Sequence, residues 1–333
     1  MAGSGTAHLR DDQERALTVE NLVVEFPVTG GTVHAVSDLS IDVLPGETLG
    51  ILGESGCGKS SAGRALMQLP APTSGKVRLG DADLTKLKKN EMRQARAKMQ
   101  MIMQDPVSAL NPRRKVKDLV AEGLEIWGFE GKDRAKFVDD LLFAVGLDPD
   151  VVRDRRPHEL SGGQCQRVCI ARSLALDPDV LICDEPVSSL DVSVQAQVLN
   201  LLEETRERYN LSMIFIAHDV AVVKNISDRV MVMYLGKTCE VIPSDDMQNK
   251  ALHPYTRLLL ESVPSADDAQ NAAARVLESG ATKAVELPSP LNPPSGCRFR
   301  TRCPLATEQC TKEEPQLREM RPGQFVACHN VSA

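Results

Sequence analysis

Aromatic residues and long apolar runs are scarce in this sequence. Phe, Trp and Tyr together make up 3% of its 333 residues, so Leu, Val, Ile, Met and Ala must fill the core. No run reaches the roughly 18 apolar residues that a membrane-spanning helix needs, so we expect no transmembrane segment. Residues 1–16 are polar, carry both charge signs and lack the apolar middle of a secretory signal, so we expect a disordered tail there.

The net charge is −7, and it is not accompanied by a basic block or a basic tail. Proteins that bind nucleic-acid phosphates carry a positive patch of that kind, so we expect no nucleic-acid partner. A hydrophobic content of 42% is ample for a core. The length allows two domains, or one large domain with an extension.

Apolar periodicity predicts an α/β chain that carries a helical insertion. Leu17–Phe26 and His34–Val43 are typical of a hairpin, because a Thr-Gly-Gly turn lies between them. Val116–Phe129 and Lys132–Val145 have helical patterns, and they place the insertion at about residues 105–165.

The chain is organised around a glycine-rich loop, Gly-Glu-Ser-Gly-Cys-Gly-Lys-Ser, at residues 53–60. The apolar run Leu49–Leu52 before it favours a buried strand, and Ser61–Leu69 after it favours a helix, which is the context of a phosphate-binding loop. Backbone N–H groups of such a loop hold phosphate oxygens. Lys59 can reach the β- and γ-phosphates, and the Ser60 hydroxyl can bind Mg²⁺. The predicted nucleotide contacts here are Gly53, Glu54, Ser55, Gly56, Cys57, Gly58, Lys59, Ser60 and Ser61.

Two further buried strands end in residues that suit nucleotide hydrolysis. Val180–Asp184 ends in a carboxylate that can hold Mg²⁺, and Glu185 after it can polarise the attacking water. The alternative for Glu185 is a solvated carboxylate at a strand end. Ser212–Ala217 is followed by His218, which would lie near the ligand crevice of a parallel sheet, although a lone His is usually structural.

Phe26 and the segment Leu160–Gln164 are candidates for further ligand contacts. Phe26 ends the first predicted strand and could stack on a purine, or could equally be a core or edge aromatic. Ser161 is a plausible N-cap, and the glycines after it expose N–H groups at a second helix N-terminus. This segment therefore predicts a second anion site.

In their order along the chain, these motifs resemble the ATP-binding cassette (ABC) ATPases. The likeness covers about residues 17–262, and its elements are the phosphate loop, Gln104, Leu160–Gln164, Asp184-Glu185, Ser188–Asp191 and His218. The resemblance implies an α/β fold of the ABC-type P-loop NTPase class. Such a fold has a RecA-like core, an antiparallel β subdomain and a helical subdomain.

The resemblance also implies a role for each residue. Phe26 would stack on adenine, Gln104 would join Ser60 and Asp184 at Mg²⁺, Glu185 would orient the water and His218 would sense the γ-phosphate. Ser161–Gln164, at the second anion site, would act in trans on ATP held by a partner ATPase in a head-to-tail dimer. The catalytic residues would be Lys59, Gln104, Glu185 and His218. Nucleotide-binding residues beyond the phosphate loop would be Phe26, Ser161, Gly162, Gly163, Gln164 and Asp191.

Other segments resemble the oligopeptide/dipeptide importer subfamily. They are Gln104-Asp105-Pro106, Asn111-Pro112-Arg113, Pro157–Leu160, Val192–Leu202, His253–Thr256 and Arg302-Cys303-Pro304. Residues 184–202 are most similar to the second, F-type, ATPase subunit of such importers. Cys165 and Ser189 depart from the family's usual residues, but neither has a role that hydrolysis needs.

The resemblance implies a peripheral ATPase on the cytoplasmic face of the inner or plasma membrane. Its partners would be a second homologous ATPase or another copy of this chain, two membrane permeases and an extracytoplasmic solute-binding protein. It would drive the import of di- and oligopeptides through ATP-dependent dimer closure. Two alternatives stay open: the same machinery could import nickel, glutathione or another small solute, or the chain could be a soluble ABC ATPase outside transport.

The nine cysteines form two groups. Five are scattered and are expected to be mostly buried small side chains: Cys57, Cys165, Cys169, Cys183 and Cys239. We expect residues 263–333 to form a flexible linker (263–296) followed by a C-terminal extension. The other four cysteines lie in that extension: Cys297, Cys303, Cys310 and Cys328. Four thiolates suit an iron–sulfur cluster or Zn²⁺, with His329 as a possible substitute ligand. We favour a 4Fe–4S cluster over zinc, since a Cys-x2-Cys pair is missing, and free thiols are the alternative. A metal would order a segment with little core of its own.

Overall fold

The computed structural model describes residues 5–128, 133–262 and 287–332. The strands are β1 (Leu17–Val28), β2 (Gly31–Val43), β3 (Thr48–Leu52), β4 (Ser74–Leu79), β5 (Ala82–Asp83), β6 (Met99–Ile102), β7 (Val180–Asp184), β8 (Ser212–Ala217), β9 (Arg229–Tyr234), β10 (Lys237–Pro243), β11 (Arg318–Arg321) and β12 (Gln324–Val326). The α-helices are α1 (Lys59–Leu66), α2 (Lys89–Lys98), α3 (Pro106–Ala109), α4 (Val116–Ile126), α5 (Arg134–Ala144), α6 (Pro149–Val152), α7 (Gly162–Leu174), α8 (Val192–Tyr209), α9 (Val220–Ile226), α10 (Met247–Lys250), α11 (Pro254–Glu261) and α12 (Glu308–Lys312). Within these ranges, none of the helices combines the length and apolar character needed to cross a membrane.

The smaller sheet is antiparallel, with the strand order β2-β1-β4-β5 in the described chain. β1 and β2 form the hairpin that the sequence predicts, and Val28 pairs with Gly31 across its turn. Gly30 has a φ of 98° there, a backbone conformation that glycine adopts without strain. One face of this sheet packs against α1, where Val19, Val24 and Leu66 are buried together.

The larger sheet has the strand order β11-β12-β10-β9-β3-β8-β7-β6 in the part of the chain that is described. Its strands β9, β3, β8, β7 and β6 are parallel. Every residue of β3, β7 and β8 is buried, which is why these strands are unbroken apolar runs in the sequence. Leu52 pairs with Ala217, and Asp184 with Ile216. The loops after these three strands therefore start at one edge of the sheet, where such sheets bind ligands.

Short helices follow β6 in the region where the sequence predicts an insertion. α3, α4 and α5 pack against α7, and Leu119, Leu142 and Val168 are buried between them. The side chain of Asp105 caps α3 by accepting hydrogen bonds from the next turn. This layer joins the segment of Gln104 to the helix that follows Ser161.

The C-terminal extension adds strands to the larger sheet. β12 pairs with β10 through Glu240↔Val326 and Val241↔Phe325, and β11 pairs with β12. Val326 is fully buried, and Phe299 is 2% exposed. The prediction that this segment has little core of its own is therefore wrong, because strand addition and aromatic burial supply packing. Residues 263–286 of the predicted linker lie outside the described residues.

The predicted disordered tail over residues 1–16 does not hold where that segment is described. His8 is buried, and its Nε2 lies 2.8 Å from the Ser40 carbonyl oxygen. Arg10 forms an ion pair of 2.6 Å with Asp42, which is also paired with Arg229. Asp42 is buried under the β hairpin, so its charge requires basic partners, and the N-terminal segment supplies one of them.

Candidate nucleotide-binding site

A cavity of about 300 Å³ lies over the phosphate loop. It is lined by residues of the first hairpin, the loop and α1, the segment after β6, the segment after β7 and the C-terminal extension. The lining residues are Phe26, Val33, His34, Ala35, Ser55, Gly56, Cys57, Gly58, Lys59, Ser60, Ser61, Gln104, Glu185, Leu235 and Pro290. Residues that the sequence predicts at the adenine, phosphate and magnesium ends of a nucleotide thus share one cavity.

The phosphate loop depends on its glycines. Gly58 is the N-cap of α1 with a φ of 101°, and a Cβ there would lie 2.0 Å from the Ala35 carbonyl oxygen. Gly53 lies behind the cavity, where a Cβ would lie 2.2 Å from the Met233 carbonyl oxygen. Larger residues at these positions would displace the loop from β2 and β9. The loop therefore presents backbone N–H groups at the start of α1, the arrangement that binds phosphate.

Lys59 is held inside the loop with only 3% of its side chain exposed. Its Nζ donates hydrogen bonds to the carbonyl oxygens of Gly53, at 2.7 Å, and Glu54, at 3.1 Å. The same Nζ lies 4.0 Å from Oε1 of Glu185. These acceptors hold the ammonium group at the cavity wall, where it can bind an anion.

Ser60 and Asp184 form the centre of the candidate Mg²⁺ site. The Ser60 hydroxyl donates a hydrogen bond of 2.7 Å to Oδ1 of Asp184. Oδ2 of Asp184 is buried and has no hydrogen-bond partner among the described residues. Burial raises the pKa of Asp184, although the bond from Ser60 and the charge of Arg64 act against it. A buried carboxylate oxygen left unpaired beside a hydroxyl fits the oxygen ligands that Mg²⁺ prefers.

Glu185 is the point at which the loops after β6, β7 and β8 meet. Its Oε2 accepts a hydrogen bond of 3.0 Å from Nε2 of Gln104 and lies 3.4 Å from Nδ1 of His218. Glu185 has a φ of 47°, which is unusual for a residue with a side chain and is found at functional sites. Its own N–H donates to the Ile216 carbonyl oxygen. The strained backbone turns this carboxylate into the cavity instead of into solvent.

Ser161–Gln164 and Asp191 lie outside the lining of this cavity. Ser161 caps α7: its hydroxyl accepts from the N–H of Gln164 at 3.2 Å, and Oε1 of Gln164 accepts from the N–H of Ser161 at 3.0 Å. Asp191 caps α8 by accepting from the N–H of Val194 at 3.0 Å. The structure thus brings together the residues predicted to act on the chain's own nucleotide, while the second anion site remains separate from them.

Sequence reasoning missed the contribution of the C-terminal extension to this site. Pro290 lines the cavity and accepts a hydrogen bond from the N–H of His34. Arg302 forms two hydrogen bonds with the carboxylate of Glu54, and the hydroxyl of Tyr255 accepts from the N–H of Glu54. Tyr255 and Arg302 both lie in segments that resemble the importer subfamily, but sequence alone gave no sign that they reach the phosphate loop.

The described residues give no support to the predicted metal centre at the four C-terminal cysteines. Among the described residues, no group of three or more His, Cys, Asp or Glu side chains is placed to hold a metal ion. Burial and, to a lesser extent, the nearby Cys310, Cys328 and Cys303 raise the pKa of Cys297 to about 11. Burial also acts to raise the pKa of Cys310, but hydrogen bonds with Thr307 and Asn330 outweigh it and lower that pKa. The four thiols lie near one another, and Cys310 also bonds to Thr307 and Asn330.

Two family matches divide the chain. Residues 36–188 match the ABC transporter family, and residues 239–310 match the C-terminal region of oligopeptide/dipeptide transporters. The chain is 49% identical to the putative oligopeptide transport ATP-binding protein YkfD of Bacillus subtilis over 90% of each protein. The chain belongs to the oligopeptide-type ABC transporter ATPases.

Further comparisons agree with this ABC ATPase family. A putative peptide import ATP-binding protein of Brucella ovis is 45% identical, over 94% of this chain and 96% of that protein. The solved post-hydrolysis dimer of the ATP-binding cassette MJ0796, bound to ADP and phosphate, is similar with a TM-score of 0.63 and 25% identity, over 68% of this chain and 98% of that one. This ABC ATPase hydrolyses ATP, and ATP with Mg²⁺ is the nucleotide expected for its family. The predicted fold class is confirmed.

Proposed function

We propose that this ABC ATPase is the ATP-hydrolysing subunit of an importer for di- and oligopeptides, most like the second of the two ATPase subunits of such importers. The observation that carries the enzymatic part is the convergence of Lys59, Gln104 and His218 on the carboxylate of Glu185. The names of the relatives and the C-terminal match over residues 239–310 support the transport part.

The cavity suggests how ATP would be bound. Phe26 would stack on the adenine at the hairpin end, and residues 53–61 would hold the phosphates through N–H groups and Lys59. Bound Mg²⁺ would neutralise phosphate charge as the γ-phosphate leaves, and Ser60, Asp184 and Gln104 are the residues that would hold it. On nucleotide binding, Lys59 would give up its hydrogen bonds to the Gly53 and Glu54 carbonyl oxygens. It would bind phosphate oxygens instead, because these carry negative charge and are stronger acceptors for a cation.

Glu185 would orient and polarise the attacking water. Its carboxylate lines the cavity at the phosphate end, and Gln104 and His218 both contact its Oε2. His218 lies in a second small cavity together with Glu185, Ser188 and Asp219. From this position the ring would contact the γ-phosphate when the site closes. Removing the His218 ring would therefore impair γ-phosphate sensing more than nucleotide binding.

The second anion site would act on the nucleotide of a partner ATPase. Ser161 and Gln164 are capped on one another at the exposed start of α7, and they lie outside the lining of this chain's own cavity. In a head-to-tail pair, each chain would place the N-terminus of its α7 on the γ-phosphate bound to the other chain. The region of Asp191 would lie at the same contact. Closure then depends on ATP, and hydrolysis releases it.

The proposed assembly has four kinds of member. These are this chain, a second ATPase or another copy of this chain, two membrane permeases and an extracytoplasmic solute-binding protein, with the ATPases on the cytoplasmic face. Copurification from the native membrane tests this: two permeases and a second ATPase should accompany the chain. ATP hydrolysis in the recovered complex should rise when the binding protein is loaded with peptides, and recovery of the chain without permeases would contradict the proposal.

No step of this function is assigned to the predicted iron–sulfur or zinc centre, which stays a prediction. Among the described residues no metal-holding group is found, and strand pairing and aromatic burial already pack the extension. Iron, labile sulfide and zinc measured in protein purified without oxygen test the hypothesis separately from ATP hydrolysis.

A further inference from the structure

The C-terminal extension contacts the nucleotide site through one ion pair. The guanidinium of Arg302 donates two hydrogen bonds, of 2.6 and 2.9 Å, to the two carboxylate oxygens of Glu54. Glu54 is the second residue of the phosphate loop, and Arg302 follows it by more than half the chain. The side chains are 14% and 28% exposed, respectively. A bidentate pair of this kind is specific in its geometry and largely shielded from solvent.

Arg302 is itself held firmly in place. Its guanidinium carbon lies 5.8 Å from the ring centre of Tyr234 and 5.9 Å from that of Phe299. Phe299 packs on Tyr234 and Tyr255 with ring centres 5.2 and 5.3 Å apart, and all three rings are buried. The cation therefore projects from a rigid aromatic cluster and not from a mobile tail, which lowers the entropy lost in forming the pair.

Glu54 is fixed through three of its groups. Besides the carboxylate, its N–H donates a hydrogen bond of 2.9 Å to the hydroxyl of Tyr255, and its carbonyl oxygen accepts one of 3.1 Å from Lys59. When Lys59 turns to phosphate, the carbonyl contact is lost, and the contacts of Arg302 and Tyr255 remain. These two residues then determine the position of this part of the loop.

The charge of Glu54 makes the pair important for binding. The Glu54 carboxylate and the phosphate groups of a nucleotide bound to the same loop are all negatively charged, so they repel one another. Arg302 supplies the compensating charge, and its two hydrogen bonds direct the carboxylate toward the extension. Glu54 accordingly does not line the cavity, although Ser55–Ser61 do.

We propose that Arg302 is a positioning residue for nucleotide binding: the C-terminal extension uses it to hold Glu54 and to neutralise its charge, so that the phosphate loop is ready to receive phosphate. The extension is thereby a part of the nucleotide site and not only an appendage of the cassette. This inference rests on the proposed function, in that the cavity over the loop is taken to bind ATP.

Titration calorimetry of the full-length chain with Mg²⁺-ADP and with Mg²⁺-ATP tests the inference. Arg302→Gln should weaken nucleotide affinity by roughly five- to tenfold, because the charge of Glu54 is left uncompensated. Arg302→Lys should weaken nucleotide affinity by less than half as much as Arg302→Gln on a logarithmic scale. The lysine keeps the positive charge but cannot form the paired hydrogen bonds. Lys312→Gln breaks an exposed ion pair with Glu308 in the same extension, and it should bind as the wild type does.

The double variant separates charge compensation from a merely structural role. In a Glu54→Gln background, adding Arg302→Gln should change nucleotide affinity by less than about twofold. The reason is that no carboxylate remains for Arg302 to compensate. An unchanged affinity for Arg302→Gln, or the same loss with and without Glu54, would overturn the inference. If the wild-type chain bound neither nucleotide, the proposed function itself would fail, and that result is distinguishable from either outcome.

Discussion

Gln104 donates a hydrogen bond of 3.0 Å to the carboxylate of Glu185. Gln104 follows β6 and begins the segment that leads into the helical layer, whereas Glu185 begins the loop after β7. A change in the position of the helical layer would therefore move the amide that orients the proposed hydrolytic carboxylate. This contact is a physical connection through which movement of that layer can affect hydrolysis.

Glu185→Gln should abolish nearly all ATP turnover and preserve ATP binding. The substitution keeps the shape of the side chain but removes the carboxylate that would polarise water, and a loss of about a hundredfold or more is typical for such a residue. Nucleotide affinity and steady-state phosphate release in the assembled complex measure the two effects. Lys59→Ala is the matched control, since it should weaken binding itself. Turnover retained by Glu185→Gln would show that another group activates the water.

Ser161→Arg should damage the partner's nucleotide site more than the site of the chain that carries it. The reason is that Ser161 lies at the start of α7, outside its own cavity. Complexes in which a single ATPase carries the substitution allow the two sites to be compared by nucleotide crosslinking. A defect at the phosphate loop of the substituted chain would exclude the head-to-tail arrangement.

Phe299→Ala should destabilise the chain by roughly 3–5 kcal/mol, the usual result of truncating a buried Phe. Phe299 is 2% exposed and contacts two buried tyrosine rings, so the extension should loosen together with β10. Urea unfolding monitored by far-UV circular dichroism measures this loss of stability. Leu305→Ala, at a residue 46% exposed in the same extension, should change stability little. Cys303→Ser should also cost much less than Phe299→Ala, and a reversed order would mean that the cysteines order the extension.

The stability of the chain should fall between about pH 6.5 and pH 4 because of His253. This ring is 2% exposed, and burial lowers its pKa from 6.5 to about 4. Above pH 6.5 the ring is neutral in both states, so its full contribution is present. As the pH falls toward 4, the unfolded chain takes up a proton that the folded chain does not, and roughly 3 kcal/mol is lost.

Urea unfolding at pH 7.5 and pH 5 checks the role of His253. His253 accepts the N–H of Tyr255 and caps α11, and Asn can also cap a helix. His253→Asn should therefore flatten the dependence of unfolding free energy on pH, whatever its effect at a single pH. An equally steep dependence in this variant would assign the acid sensitivity to other groups.

Local sequence determined most of the cassette. The apolar runs Val180–Asp184 and Ser212–Ala217 are strands with the predicted bounds, because strands buried on both faces must be apolar throughout. Gly58 and Lys59 mark the phosphate loop, since few other residues allow a tight turn with a cation at a helix start. Asp184, Glu185 and His218 lie together because the ends of parallel strands meet at one edge of the sheet.

Only the tertiary structure decided what the C-terminal extension does. Sequence spacing counted four cysteines and suggested a metal centre, but spacing along a chain does not give distances between sulfurs. The pairing of Val241 with Phe325, and of Arg302 with Glu54, joins residues far apart in sequence, and no local pattern encodes such partners. The same holds for the orientation of Glu185, which depends on contacts with Gln104 after β6 and His218 after β8. Burial and charge compensation select these contacts after the chain has folded, and so the sequence by itself showed the residues of the site but not the groups that hold them.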